Sequence, residues 1–130
     1  MAALVVHGVF HRFPNVRVCS IEHGSDWVAG LLKKLRKAER MNVGAFPEPP
    51  LESFRRHVAV APYFEEDVRA LADAIGVENV LLGSDFPHAE GLAEPRRFVD
   101  ELEDFTPAEI RLVMRENGRR LVTPRPASAA

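Results

Sequence analysis

The sequence predicts an α/β fold built from parallel strands, and three observations carry that reading. Short β-branched or all-apolar runs at residues 16–21, 57–61 and 80–82 alternate with amphipathic helical patterns. The run Val80-Leu81-Leu82 is apolar throughout, as expected of a strand buried on both faces. Polar clusters follow the first and third runs, where parallel folds place their reactive residues. At 130 residues the chain is one domain long. That is roughly half of the ~250 residues that eight βα units need. Two architectures are therefore open: the C-terminal portion of a TIM (β/α)8 barrel, about three βα units, or a small three-strand α/β layer.

Taken in order, residues 2–12 read as a helix, with Leu4, Val5, Val9 and Phe10 available for one apolar face, stopped by Phe13-Pro14-Asn15. Residues 16–21 form the first strand. Trp27, Val28, Leu31, Leu32 and Leu35 recur at helical spacing, while Lys33, Lys34, Arg36 and Lys37 fall largely on the other, solvated face. Ser25 or Asp26 can cap that helix. Residues 42–50, with three prolines and a glycine, read as a loop. The second strand, 57–61, precedes a helix striped by Phe64, Val68, Leu71, Ala72 and Ile75. Glu65, Glu66 and Asp67 are expected in its first turn, where the helix dipole favours anions, and Gly76 at its C-terminal glycine position. After the third strand, 80–82, a helix is expected from Pro95 through Phe98, Val99 and Leu102. Thr106-Pro107-Ala108-Glu109 is a capping box with proline at the first helical position, opening a last helix through Ile110, Val113 and Met114. Residues 123–130 have little to bury and are expected to form a flexible tail.

Composition excludes several classes. A formal charge of −2 gives no electrostatic case for nucleic acid or an anionic membrane. One cysteine, Cys19, excludes an intrachain disulfide framework and a cysteine-rich zinc site; within its strand it reads as a small core residue. No apolar run approaches the ~20 residues that span a bilayer, and the N-terminus lacks the pattern of a secretory signal. The expectation is a cytoplasmic protein with a small-molecule substrate. Ser25 and Ser84 lack a nucleophile elbow, and neither a phosphate loop nor a dinucleotide fingerprint is present.

The chemistry is expected after the first and third strands, in Glu22-His23-Gly24-Ser25-Asp26 and Ser84-Asp85-Phe86-Pro87-His88. These hold residue types that bind divalent metals. His23, beside a glycine that lets a ligand approach, can offer a neutral imidazole to a metal or simply hydrogen-bond at the strand end. Asp85 directly follows an apolar strand, so its carboxylate must be paired, hydrogen-bonded or metal-bound; the alternative is a turn residue binding backbone amides. His88 can contact substrate or shuttle a proton, or lie on a surface loop. Glu22 reads as a salt-bridge partner at the sheet rim in preference to a second functional carboxylate. His7 and His11 stand four apart without an HExxH pattern and read as a packed helix face. His57, opening a strand, reads as structural.

These segments, Phe13-Pro14-Asn15 before a strand, Ile21-Glu22-His23-Gly24-Ser25-Asp26-Trp27, Leu82-Gly83-Ser84-Asp85-Phe86-Pro87-His88 and Asn117 in the last helix, resemble the C-terminal half of the amidohydrolase-related family, amidohydrolase 2 branch, over about residues 4–122. The resemblance implies a TIM (β/α)8 barrel, with residues 1–122 supplying strands six to eight. It implies that Asp85, as a catalytic residue, binds the metal or activates its water, and that His23 is a ligand or acid/base. It also implies that His88 lines the substrate pocket and that the cofactor is a divalent metal, zinc. The family's N-terminal metal pair and the histidine after its fifth strand have no counterpart here, so His23 and Asp85 supply two of the three protein ligands a catalytic zinc takes. The expected function is that of the C-terminal fragment of a metal-dependent hydrolase acting on C–N or C–O bonds. The alternatives are a metal-dependent non-oxidative decarboxylase of the aminocarboxymuconate semialdehyde decarboxylase-like group, and an inactive α/β remnant or assembly partner. An open parallel edge implies a homo-oligomer or a complementing N-terminal chain.

Overall fold

A computed structural model describes residues 1–124. In chain order the elements are α1 (Ala2–Val6), α2 (Val9–Arg12), β1 (Val18–Ser20), α3 (Asp26–Met41), α4 (Pro50–His57), β2 (Val58–Val60) and α5 (Val68–Ile75). Two 3-10 segments follow, Val77–Asn79 and Pro95–Leu102. The C-terminal helix is α6 (Pro107–Arg111), a π turn at Leu112–Glu116, and α7 (Asn117–Val122). The fold is mixed α/β, rich in helix, around a small parallel sheet. Of the expected tail, residues 125–130 lie outside the described residues.

β1 and β2 pair in parallel, Val18 opposite Val58 and Ser20 opposite Val60. The third run contributes a single parallel bridge, Val60 to Val80, with the Leu81 N–H donating to the Val60 carbonyl at 2.9 Å. The ladder stops there for a chemical reason. In a parallel ladder Leu81 would next accept from residue 62. Residue 62 is proline and has no N–H to give. The expected strand 80–82 is thus cut to one bridge.

The main core lies on one face of this sheet, where Val58, Val60 and Val80 meet Val28, Leu32, Phe54, Ile75, Phe98 and Leu102. The opposite face carries the small cluster Ala59, Ala61 and Leu81, packed by Leu121. Cys19 is exposed. The expected core role of Cys19 is therefore corrected: alternate strand residues point to opposite faces, and Cys19 points to the thinly covered one.

The helix expected over residues 2–12 is broken. Gly8 adopts a left-handed φ of 63° between α1 and α2, a conformation that glycine enters without steric cost. The turn lets both Val5 and Phe10 reach the core, while His7 and His11 are exposed instead of packed. The helix α4 was not legible and replaces the end of the expected loop, with Pro50 at a first-turn position. His57 ends α4 instead of opening a strand. Its ring stacks on Phe10 at 4.5 Å and its Nδ1 lies 2.7 Å from the Val16 carbonyl, which suits a structural residue.

α5 starts later than the apolar stripe suggested. Asp67 caps it by accepting from the Ala70 N–H at 2.8 Å, so Glu65 and Glu66 lie before the helix. Gly76 stands at its C-terminal cap, φ 92°. The capping box is formed as expected: the Glu109 N–H donates to Thr106 Oγ1 and the Thr106 N–H to Glu109 Oε2. Buried Asn117 donates to the carbonyls of Val77 and Val80, both at 2.8 Å, and so ties the C-terminal helix to the start of the third run. No helix among the described residues is long and apolar enough to cross a membrane.

Candidate metal site beyond the strand ends

Beyond the carboxyl ends of the strands, three loops line one cleft of about 180 Å³. Ile21 and Glu22 come from the loop after β1, Pro62 and Tyr63 from that after β2, and Gly83 to Phe86 from that after the third run. Gly83 makes this convergence possible. A Cβ there would stand 1.7 Å from the Pro62 carbonyl oxygen, so only glycine lets the two backbones approach so closely.

The loop that follows closes on itself. The Leu92 N–H donates to the Ser84 carbonyl at 2.8 Å and the His88 N–H to the Asp85 carbonyl at 2.9 Å. Asp85 takes a left-handed φ of 53°, which a short polar side chain tolerates better than most. The turn swings its carboxylate inward, leaving the side chain 9% exposed, and sets Oδ1 3.0 Å from His88 Nδ1. An ionised carboxylate can only accept, so Nδ1 is the donor of this bond, and the tautomer that makes it has its lone pair at Nε2.

Glu22 joins this pair. It too has a left-handed φ, 56°, and its carboxylate lies with Asp85 and His88 in a group whose ligand atoms are all within 4.8 Å of one another. It makes no ion pair among the described residues, so the expected salt-bridge role of Glu22 gives way to that of a second carboxylate at the site. With bonds of about 2.0–2.2 Å, two ligands of one ion stand at most about 4.4 Å apart. The 4.8 Å bound on the group stands close to that limit. Two carboxylates and an imidazole suit zinc or manganese, so the donor set fits a divalent cation.

Of the residues expected at the site, Asp85 and His88 are brought together and His23 is not. His23 lines a separate, more apolar cleft with Ser20, Trp27 and Leu31, its ring 6.3 Å from that of Trp27. Side-chain direction has no fixed period in an irregular loop, and here the left-handed turn at Glu22 puts that side chain, not its neighbour's, beside Asp85.

A sequence model of the family described as amidohydrolase matches residues 1–123. The crystal structure of an amidohydrolase from Mycobacterium avium subsp. paratuberculosis K-10 is similar at a TM-score of 0.90 and 47% identity, over 94% of this chain and 32% of that one. The 5-carboxyvanillate decarboxylase LigW of Sphingomonas paucimobilis shares the fold at a TM-score of 0.65 and 23% identity, over 92% of this chain and 37% of that one. The chain thus spans about a third of the length of these solved structures.

Proposed function

The chain belongs to the amidohydrolase family, and from that premise we propose that Asp85, Glu22 and His88 contribute to the divalent-metal site, zinc in our reading, of a hydrolase acting on a C–N or C–O bond of a small organic substrate. The observation that carries this reading is the convergence of the three side chains, from two loops more than 60 residues apart, just past the carboxyl ends of parallel strands.

We read the described elements as the last three βα units of a TIM barrel. Supporting this, the helices cover one sheet face, while the other shows small Ala59 and Ala61, thin cover and an exposed Cys19. A doubly wound layer would bury both faces. The outer edge of β1 is unpaired among the described residues, which suits assembly with a second copy or a complementing N-terminal chain.

A divalent cation, when bound, supplies Lewis acidity and an activated water at neutral pH. The protein's own groups do the rest. Asp85 orients the His88 ring through Nδ1, leaving Nε2 to hold the ion or take a proton. Glu22 adds negative charge at the cleft mouth. Ile21, Tyr63 and Phe86 supply apolar walls for a small organic substrate.

One feature favours a second reading, non-oxidative decarboxylation of a carboxylated ring. His23, followed by Gly24, lines the separate apolar cleft with Trp27 and Leu31, and in this reading a carboxylated ring seated there takes up a proton from His23 as its C–C bond to CO2 breaks. Metal per chain, measured on the monodisperse size-exclusion fraction with molar mass from the same peak, tests the premise shared by both. Near-stoichiometric zinc or manganese, lost in Asp85→Ala, is expected. No metal above background would overturn it in favour of a non-catalytic remnant. With metal present, turnover of amide or ester substrates against release of CO2 separates the two chemistries.

A further inference from the structure

Glu66 stands outside the metal group and does not line the cleft, yet its carboxylate is the most heavily engaged side-chain acceptor near it. The Ser25 N–H donates to both of its oxygens, at 2.9 Å to Oε1 and 2.8 Å to Oε2. The Ser25 hydroxyl donates to Oε2 at 2.9 Å, and so does the Tyr63 N–H at 2.9 Å. No cation pairs with Glu66 among the described residues. The carboxylate thus joins the loop after β1, which carries Glu22, to the neighbouring loop after β2, whose Pro62 and Tyr63 also line the cleft.

The space around Gly24 shows how closely the parts meet. Gly24 has a left-handed φ of 57°, and a Cβ there would stand 2.6 Å from Glu66 Oε1 and 3.0 Å from the Tyr63 ring. On the other side the Trp27 Nε1–H donates to the Gly24 carbonyl at 3.0 Å. Glu22, itself at a left-handed φ, therefore sits two residues before a segment held by Glu66 and Trp27. Ser25 occupies the N-terminal cap position of α3, but its side chain makes no cap bond and is directed to Glu66.

From this geometry we infer that Glu66 is a positioning residue of the metal site: it fixes the Glu22 loop so that the Glu22 carboxylate faces Asp85 and His88. The inference rests on the metal reading given above. Glutamine replaces it imperfectly: with its oxygen at the Oε2 position it keeps three bonds, but its NH2 at the Oε1 position faces the Ser25 N–H donor. Groups that orient a metal's ligands typically cost 10–100-fold in affinity when altered.

The test is a Co2+ titration of the full chain, followed by visible absorption, with far-ultraviolet circular dichroism reporting folding. Wild type should bind and Asp85→Ala should not. Glu66→Gln should weaken binding about 10–100-fold while remaining folded. Glu22→Ala should weaken it too, and adding Glu66→Gln to Glu22→Ala should cost nothing further, since the one acts through the other. Should Glu66→Gln fail to fold, Ser25→Ala removes a single bond to Glu66 and should weaken Co2+ binding about two- to tenfold, again only when Glu22 is present. Unchanged Co2+ affinity in the folded variant, or additive losses in the double variant, would overturn the role of Glu66 and leave the metal reading standing. Absent binding by wild type, or binding unaffected by Asp85→Ala, would instead overturn the metal reading and this inference with it.

Discussion

His88 Nδ1 stands 3.0 Å from Asp85 Oδ1, three residues back along one tight loop, with the carboxylate sheltered and the imidazole half exposed. The loop therefore sets a carboxylate-oriented histidine beside the cleft that Asp85 itself lines.

Replacing Asp85 by asparagine keeps the shape but reverses one hydrogen-bonding partner. The amide NH2 can then donate to Nδ1, which moves the ring hydrogen to Nε2 and removes that lone pair. The expected outcome is a change of His88 tautomer, seen in ¹⁵N NMR, and turnover lowered about 10²–10⁴-fold in the assembled enzyme if the pair moves a proton.

Gly83 and Gly30 should respond in opposite ways to alanine. At Gly83 the new methyl would collide with the Pro62 carbonyl, and the overpacking should cost about 1–3 kcal/mol and displace Asp85. At Gly30, in the middle of α3, a Cβ meets nothing within 4 Å, so helix propensity should raise stability by about 0.5–1 kcal/mol. Urea unfolding of both variants measures the contrast.

Asn117 should be among the most sensitive polar residues. Its side chain is 1% exposed and serves two carbonyls at the start of the third run. Asn117→Ala orphans the Val80 carbonyl, at about 1–3 kcal/mol, while the Val77 carbonyl keeps the Val80 N–H at 3.2 Å. A loss under 0.5 kcal/mol in urea unfolding would show that water takes over the bonds.

Stability should fall at acid pH through the last helix. The Thr106 backbone N–H, with its hydroxyl and then Arg69 adding to the effect, holds the Glu109 carboxyl below its ordinary value of 4.5. A carboxyl with a lowered folded pKa contributes stability above its unfolded pKa and loses it as pH falls through the folded one. Thermal melts should show this decline below about pH 4.5, and Thr106→Ala should reduce it only in part, since the backbone N–H remains.

What was legible in the sequence was what depends on neighbours in the chain. Periodicity marked α3 and the alternation of strand and helix. The capping box at Thr106 and the cap at Gly76 were readable because caps are local chemistry. The position of Asp85 after an apolar run marked the site, because a carboxylate at the end of a buried strand must be satisfied. Tertiary structure alone decided the rest. Gly8 broke a continuous helical pattern so that Val5 and Phe10 could both reach the core. Pro62 ended a ladder in the neighbouring strand, not in its own. That Glu22 and not His23 stands beside Asp85 goes with a left-handed φ at Glu22, in a loop bonded at Ser25 to Glu66, 41 residues further on. Side-chain direction has a fixed period only inside helices and strands; in a loop it is set by whatever distant group holds the backbone.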